Sequence, residues 1–320
     1  MGVATTAARG MIRAANSIVN LAVLVLILLL LVFGGYALWD SGQVYHDADA
    51  AQYAKYKPTQ ANKGLSFAEL QAINPEVISW LTVYGTHIDY PVAQGADNLK
   101  YVNTSALGKY SLSGSLFLDA DCSADFSDFS SIIYGHHMDK NTMFGEIGLF
   151  ADTRYFNARR YGVLYAAGRR QGLEFFAFLP VDAYDSAIYR TKIVGDAQRQ
   201  AYLNLLLSRA TNVRRDVKVT PDDRIVLLST CASGATNGRS ILVAKIIDRV
   251  PEDPFKGTGA ARRGLLPSIS ALPGLWRTAS IGVKIALVAA PFLLIVVFVV
   301  FMVRRKKKGR VQQPDEGNNS

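Results

Sequence analysis

Cysteine is scarce in this chain: only Cys122 and Cys231 occur among its 320 residues. Small exported domains that depend on disulfides carry many more, so we expect a hydrophobic core to stabilise this fold instead. The four histidines and two cysteines also lack zinc-type spacing. The adjacent residues His136 and His137 would point to opposite faces of a strand, which argues against joint coordination. We therefore predict neither a metal site nor a cofactor.

The folded part of the chain lacks an excess of basic charge. The formal net charge is +9, yet residues 40–283 hold 26 lysines and arginines against 24 aspartates and glutamates. The rest of the excess lies in the two tails, where it can contact anionic lipid. A nucleic-acid-binding protein concentrates its basic charge on the folded domain. We therefore predict no nucleic-acid partner.

Two long stretches contain no charged residue at all. The first, 14–39, has 26 residues, and the second, between Lys284 and Arg304, has 19. Each is long enough to cross a hydrocarbon core of about 30 Å as a helix. The alternative for the first stretch is a cleaved signal peptide, but its apolar run exceeds the usual limit of about 15 residues and no A-x-A site follows. We predict transmembrane helices at 14–39 and 284–303.

Basic residues flank both predicted spans on one side. Arg9 and Arg13 precede the first span, and "RRKKKGR" follows the second. The positive-inside rule then places the N-terminus, 1–13, and the basic tail, 304–320, in the cytoplasm. We expect the protein in the plasma membrane, in contact with the lipid bilayer, with residues 40–283 outside the cell.

The external segment begins with a region of helical character. Residues 40–80 include "SFAELQAINPEVISWL", in which Ser66 and Glu69 have the spacing of a capping box. The segment 196–210 has apolar residues at helical spacing and predicts a further helix. Residues 251–283 are rich in Pro, Gly and Ser, which is typical of a linker.

Residues 81–250 consist mainly of short apolar or alternating segments separated by Gly, Asp, Asn and Ser. This spacing favours a closed or nearly closed β-barrel over a parallel α/β sheet, so we predict a mainly β fold. The predicted strands are 80–84, 87–92, 114–119, 130–136, 161–168, 173–184, 217–219, 224–230 and 240–249.

Cys231 ends the apolar strand "RIVLLSTC" and precedes the small-residue loop "ASGATNG". A free cysteine is most often a small buried hydrophobe, but a strand end beside a loop is accessible to a peptide. A thiol nucleophile needs a group that transfers protons and a donor for the oxyanion. His136 follows the strand "SSIIY" and Gly135, whose missing side chain permits close approach. Arg239 begins the next strand, and pairing would bring it beside Cys231. Each residue alone fits a structural role; together they favour nucleophilic catalysis.

Three stretches of sequence resemble class B sortases. They are "LLSTC" with Arg239 eight residues later, "IIYGHHM" followed by "MFGEI", and "NPEVISWLTVYGTHIDYPVAQGADNLKYV", and the resemblance covers residues 66–249. Sortases are membrane-anchored cysteine transpeptidases of Gram-positive bacteria. The resemblance implies an eight-stranded β-barrel with N-terminal helices and one helix in the β6/β7 region. It also implies that Cys231 is the nucleophile, His136 the general acid/base and Arg239 the oxyanion donor.

The resemblance further implies four residues that bind the substrate peptide: Asn98, Val102, Tyr134 and Ser229. Two features depart from the family pattern. His137 stands where relatives often carry asparagine. A C-terminal span is more typical of class C sortases, which polymerise pilins, although no lid segment precedes this barrel.

The resemblance implies a transpeptidase that cleaves a C-terminal sorting motif, NPxT-like or LPxT-like, in exported proteins. The acyl group would pass through a thioester to an amine, either of a peptidoglycan precursor or of a pilin lysine. One alternative is an L,D-transpeptidase-like enzyme, but these carry Gly before the cysteine, where this chain has Thr230. The other is a two-span sensor or adhesion module with a Cys122–Cys231 disulfide.

Overall fold

The structure, a computed structural model, describes residues 2–59, 65–139, 141–231 and 237–257. Its α-helices are α1 (Gly2–Asp47), α2 (Leu65–Ile73), α3 (Thr153–Ala158) and α4 (Asp196–Arg209). Shorter 3-10 helices span Ala50–Tyr56, Lys100–Val102 and Ile147–Ala151. The strands are β1 (Val77–Val83), β2 (Asp89–Ala93), β3 (Leu116–Leu118), β4 (Ser130–Tyr134), β5 (Tyr161–Ala166), β6 (Arg169–Asp182), β7 (Asn212–Val213), β8 (Ile225–Cys231) and β9 (Gly238–Ile247).

Eight of the strands form a closed ring. Their order is β5-β1-β2-β3-β4-β8-β9-β6, and β6 pairs again with β5. The two-residue strand β7 adds to β6 outside this ring. Closure removes the free sheet edges on which a neighbouring chain could add a strand. The predicted eight-stranded barrel is confirmed.

The long strand β6 joins the two halves of the barrel. It has 14 residues; its first half pairs with β5, and Ala177 and Phe178 pair with β7. Strand β9 runs along the other side, with a register shift between Phe175 and Ala177. A bulge of this kind bends a strand, so β6 can pair with β5 over its first half and with β9 along its length.

Both faces of β8 are buried. Val226 and Leu228 belong to the inner core of the barrel, whereas Ile225 and Leu227 belong to a second cluster outside it. Burial on both sides explains why this strand reads as a continuous apolar run and not as an alternating one. Helix α4 covers the outer cluster with Tyr202, Leu203 and Leu206.

The N-terminal helical region ends earlier than predicted. Helix α2 stops at Ile73, and Val77–Val83 is already the first barrel strand, so the prediction of helical structure up to residue 80 is wrong. Pro75 cannot continue the helical hydrogen bonds. The side-chain amide of the buried Asn74 instead donates to the carbonyl of Ala106. The N–H of Val77 donates to the backbone carbonyl of Asn74 and closes a turn.

The predicted strand at 217–219 is also wrong. The short strand in this part of the chain is Asn212–Val213, which pairs with β6. The N–H of Val217 donates to the carbonyl of Arg214 and so belongs to a turn. Alternating apolar and polar residues in "VKV" imitate a strand, but their backbone groups are used locally.

Helix α1 is exposed along most of its length, including Leu29, Leu30 and Phe33. Among the described residues, one candidate membrane span is found, Gly10–Tyr56, whose most apolar 18-residue window has a mean hydropathy of 2.9. By length and composition this helix can anchor the chain in a membrane. The predicted second span at 284–303, the basic tail and most of the linker lie outside the described residues.

Candidate active site

Strands β4 and β8 lie side by side and in parallel. Their register runs from Ser130 opposite Ile225 to Tyr134 opposite Ser229, and the Gly135 N–H donates to the Ser229 carbonyl at 3.2 Å. Parallel strands end at the same edge of a sheet. Position 136, two residues beyond Tyr134, therefore follows β4 at the edge where β8 reaches position 231, two residues beyond Ser229.

Strand β9 brings Arg239 to the same edge. It runs antiparallel to β8, with Arg239 directly opposite Cys231. Arg239 is half-buried, and its Nη1 donates to the carbonyl of Gly238 at 3.2 Å. A guanidinium carries five N–H donors, and this bond uses one of them. The strand pairings thus set Arg239 opposite Cys231 and direct the segment after β4 toward the same edge of the barrel.

The ring of His136 is oriented by a backbone carbonyl. Its Nε2 lies 2.9 Å from the carbonyl oxygen of Val102. Because a carbonyl only accepts, this hydrogen bond requires that Nε2 carries a proton. In the neutral ring, Nδ1 is then the nitrogen that can accept a proton. The main chain is held as well, since the His136 carbonyl accepts from the N–H of Phe144 at 3.0 Å.

Two glycines make this arrangement possible. A Cβ at Gly135 would lie 2.4 Å from the Leu116 side chain and 2.7 Å from Phe144, so the predicted need for a small residue before His136 is confirmed. Gly114 has a φ of 56°, and a Cβ there would lie 2.4 Å from the Val102 carbonyl oxygen. Only glycine allows both the left-handed backbone and this close approach.

Two of the four predicted substrate residues meet at a carboxylate that the sequence analysis missed. Asn98 Nδ2 and the Tyr134 hydroxyl each donate to Asp119 Oδ2 at 2.9 Å. Burial and the nearby Asp119 raise the pKa of Tyr134 well above its ordinary value. A signal existed, since Asp119 directly follows the apolar strand "LFL" at its end.

Ser229 joins the same group through Tyr189, a second residue that the sequence analysis missed. The Ser229 Oγ lies 3.0 Å from the Tyr189 hydroxyl. The Tyr189 ring stacks on Tyr134 with centroids 6.2 Å apart and an interplanar angle of 26°. Tyr189 lies in the irregular segment between β6 and α4, where no periodic pattern singles out one residue.

Val102 contributes to the site in a different way from the other three. Its side chain is half-buried and packs against the inner core, while its carbonyl oxygen accepts from His136. A contact between its side chain and a substrate stays a prediction. Within the described ranges, no group of three or more His, Cys, Asp or Glu is arranged to hold a metal ion.

The alternative prediction of a disulfide between Cys122 and Cys231 is wrong. Cys122 is a buried free thiol whose Sγ faces the carbonyl of Ser130 at 3.9 Å. Ser130 pairs with Ile225, six positions before Cys231 on β8. A strand rises about 3.3 Å per residue, so the two cysteines are on the order of 20 Å apart. A disulfide requires Cα atoms within about 7 Å.

The chain is similar to known proteins over more than half of its length. Over 183 residues, the chain is 31% identical to sortase B of Staphylococcus aureus, an alignment that covers 57% of this chain and 74% of that protein. The chain belongs to the class B sortases. No protein-family model matches it. Class B sortases are cysteine transpeptidases, and so is this one; the L,D-transpeptidase-like and non-enzymatic alternatives are wrong.

Solved structures of class B sortases share the fold. The crystal structure of sortase B from the type II pilus of Streptococcus pneumoniae is 48% identical, with a TM-score of 0.51, covering 57% of this chain and 99% of that one. A Streptococcus pyogenes class B sortase involved in pilus biogenesis is 39% identical, with a TM-score of 0.53, covering 57% of this chain and 99% of that one.

Proposed function

We propose that Cys231, His136 and Arg239 carry out the transpeptidation, as nucleophile, general acid/base and oxyanion donor. The observation that carries this proposal is the convergence of the three residues at one barrel edge. Strand β4 ends two residues before His136, β8 ends with Cys231, and β9 pairs Arg239 with Cys231. Nucleophilic catalysis by a thiol needs these three chemical types in one place.

In the first half of the reaction, the thiolate of Cys231 attacks the Thr carbonyl carbon of the sorting motif. The carbonyl oxygen becomes an oxyanion, which the Arg239 guanidinium stabilises through its planar set of donors. The C–N bond then breaks, and the leaving amine takes a proton from His136. The products are a free amine and a thioester between Cys231 and the Thr carbonyl.

In the second half, an incoming amine attacks the thioester. His136 takes the proton that this amine loses, the C–S bond breaks, and Cys231 is released as thiolate. The contact with Val102 keeps Nε2 protonated throughout, so Nδ1 is the atom that exchanges the proton in both halves. One imidazole nitrogen thus serves as acid and then as base.

Asn98, Tyr134 and Ser229 bind the sorting peptide in this proposal, beside the Cys231 end of β8. Hydrogen bonds and a ring stack connect their side chains through Asp119 and Tyr189. The motif is NPxT-like or LPxT-like. Val102 lines the other side of the site.

The amine acceptor is a pilin lysine. Two similar solved structures, 48% and 39% identical, are of class B sortases from a pilus and involved in pilus biogenesis. These identities exceed the 31% shared with sortase B of Staphylococcus aureus. The predicted second span, a feature typical of pilin-polymerising sortases, supports the same acceptor. A peptidoglycan amine is the second candidate.

The test uses the full chain in detergent with peptides that carry NPxT or LPxT, x being alanine. Mass spectrometry should find an acyl group on the tryptic peptide that contains Cys231. A lysine-containing peptide and a glycine-based amine are then offered as acceptors, and we expect transfer to the lysine. Acylation of another residue would contradict the mechanism; preferred transfer to the glycine-based amine would overturn the acceptor.

We infer further that the barrel lies outside the plasma membrane, with both termini in the cytoplasm. Basic residues flank α1 on its N-terminal side, and "RRKKKGR" follows the predicted span 284–303. Protease added to intact protoplasts should remove residues 40–283 and leave both tails protected. Digestion of the basic tail from outside would contradict two spans in this orientation.

A further inference from the structure

Asp119 is a buried carboxylate directly after β3, and only 6% of it is exposed. Its Oδ2 accepts from Asn98 Nδ2 and from the Tyr134 hydroxyl, both at 2.9 Å. Its Oδ1 accepts from the N–H of Asp121 at 3.0 Å. A buried carboxylate with several donors is held firmly in place. Two of these donors belong to residues that bind the peptide in the proposed function.

The carboxylate determines which way the Asn98 amide faces. Because an ionised carboxylate only accepts, the NH2 group of Asn98 must be the end that faces Asp119. The other end is fixed too, since Asn98 Oδ1 accepts from the Ala120 N–H at 2.8 Å. One N–H donor and one oxygen lone pair of the Asn98 amide remain. Together they can accept from the N–H and donate to the C=O of one peptide group.

Tyr134 is oriented by the same oxygen. Its hydroxyl donates its only proton to Asp119, so the phenolic oxygen is left as an acceptor. The ring stacks on Tyr189, whose hydroxyl lies 3.0 Å from Ser229 Oγ. A single carboxylate therefore orients Asn98 and Tyr134 directly, and it connects to Ser229 through Tyr189.

We propose that Asp119 is a positioning residue for the sorting peptide. It makes no contact with the peptide itself, and it acts by holding Asn98 and Tyr134 in one hydrogen-bonding state. This proposal rests on the proposed function, because it assigns Asp119 to the peptide site described there. Asparagine at 119 would have nearly the same shape but could face Asn98 with either end, so the orientation would be lost.

The experiment measures kcat and KM of the full chain in detergent, with a quenched fluorescent peptide carrying NPxT. We expect Asp119→Asn to raise KM roughly ten- to a hundredfold, the range for lost hydrogen bonds to a charged group. kcat should stay within about threefold, because the same contacts are lost in the bound substrate and in the transition state.

Asp89→Asn is the matched control. Asp89 also accepts three donors, from Lys57 at 2.7 Å and from Trp80 and Thr82 at 2.8 Å, and it lies at the start of β2. This variant should lose stability without a change in KM. Equal effects of the two substitutions on KM would mean that Asp119 is merely structural.

A double variant tests whether Asp119 acts through Asn98. We expect Asn98→Ala with Asp119→Asn to lose clearly less kcat/KM than the product of the two single losses, because the carboxylate then has only Tyr134 left to orient. Effects that multiply would overturn the proposal. If Asp119→Asn lowers stability, affinity of the Cys231→Ala background for the peptide gives the same comparison by fluorescence anisotropy.

The two proposals fail in distinguishable ways. If the Cys231→Ala variant still cleaves the peptide, the proposed function falls, and the role of Asp119 falls with it. If wild type cleaves, Cys231→Ala does not, and Asp119→Asn keeps the wild-type KM, the role of Asp119 alone is overturned. The rate at which iodoacetamide alkylates Cys231 should be the same in wild type and in Asp119→Asn.

Discussion

At the amino end of the β4–β8 ladder, Ser130 pairs with Ile225, and Cys122 lies beside them with 6% of its surface exposed. At the carboxyl end of the same ladder, Tyr134 pairs with Ser229, and the two segments lead on to His136 and Cys231. The first end packs beside a buried thiol, and at the second end the strand position of Cys231 lies opposite Arg239. Cys122 and Cys231 thus lie at opposite ends of one pair of strands.

The difference shows how position in a fold sets the chemistry of a thiol. Burial raises the pKa of Cys122 to about 12, and its Sγ faces the Ser130 carbonyl, which does not stabilise a thiolate. The backbone of Cys231 is instead paired in register with Arg239, and in the proposed function this cation favours the thiolate of Cys231. The proposed nucleophile and the inert thiol differ in surroundings, not in residue type.

Replacing each cysteine by alanine in turn gives the largest expected difference in activity. Cys231→Ala should lower kcat/KM for the sorting peptide by at least about 10⁴-fold, because loss of a nucleophile removes the covalent route. Cys122→Ala should keep activity and cost about 1 kcal/mol of unfolding free energy for the cavity. Peptide cleavage and thermal melting measure both. Activity that depends on Cys122 would reverse the comparison.

The adjacent histidines come next. His136→Ala should lower kcat by roughly 10³-fold or more, since general acid/base catalysis is lost in both steps. His137→Asn should keep most activity, because His136 is the acid/base in the proposed function, whereas the backbone of His137 pairs with Met143 away from β8. Amine release from a fluorogenic peptide gives the rates, and melting confirms folding. An inactive His137→Asn beside an active His136→Ala would shift the register by one residue.

Thiol labelling sharpens the same contrast without a mutation. A pKa raised from 9.0 to about 12 lowers the thiolate fraction of Cys122 at pH 8 by about a thousandfold, so the folded chain should take up one iodoacetamide, on Cys231. The denatured chain should take up two iodoacetamide labels. Two labels on the folded chain at pH 8 would show that Cys122 is accessible.

The sign of the pH dependence follows from the same shift. The folded state retains the Cys122 proton more tightly than the unfolded state, so this thiol's contribution to stability is complete below pH 9 and is lost as the pH rises toward 12.

Arg239→Lys keeps the charge at the reactive end but removes the planar set of donors. kcat/KM should fall by roughly ten- to a thousandfold, the range for lost oxyanion donors, with little change in melting temperature. Rates are measured with the same fluorogenic peptide. A lysine variant with the wild-type rate would remove Arg239 from the site.

The smallest expected effect comes from Gly114. Gly114→Ala would place a Cβ 2.4 Å from the Val102 carbonyl oxygen that orients His136, so kcat should fall about tenfold through misplacement of the ring. Gly108→Ala is the control, because its φ of 74° is equally strained but nothing lies within 4 Å. Equal losses of kcat would mean that backbone strain, not the carbonyl, is responsible.

Much of the fold could be predicted because it rests on local patterns. The barrel strands, the helix at 196–210 and the apolar stretch of α1 all show a period or a length that reports burial. The end of α2 and the strand at 217–219 were mispredicted where a turn uses backbone hydrogen bonds. Side-chain pattern carries little information about such bonds.

The sequence alone determined the order and character of the elements, including the apolar run "IVLL" that ends in Ser229, Thr230 and Cys231, and it carried the motifs that identify the family. The tertiary structure decided the contacts between segments far apart in the chain. Asp119 meets Asn98 and Tyr134, and Nε2 of His136 meets a carbonyl 34 residues away. A carbonyl is present at every residue, so no side-chain pattern distinguishes Val102. Only the closing of the barrel brings these groups within hydrogen-bond distance.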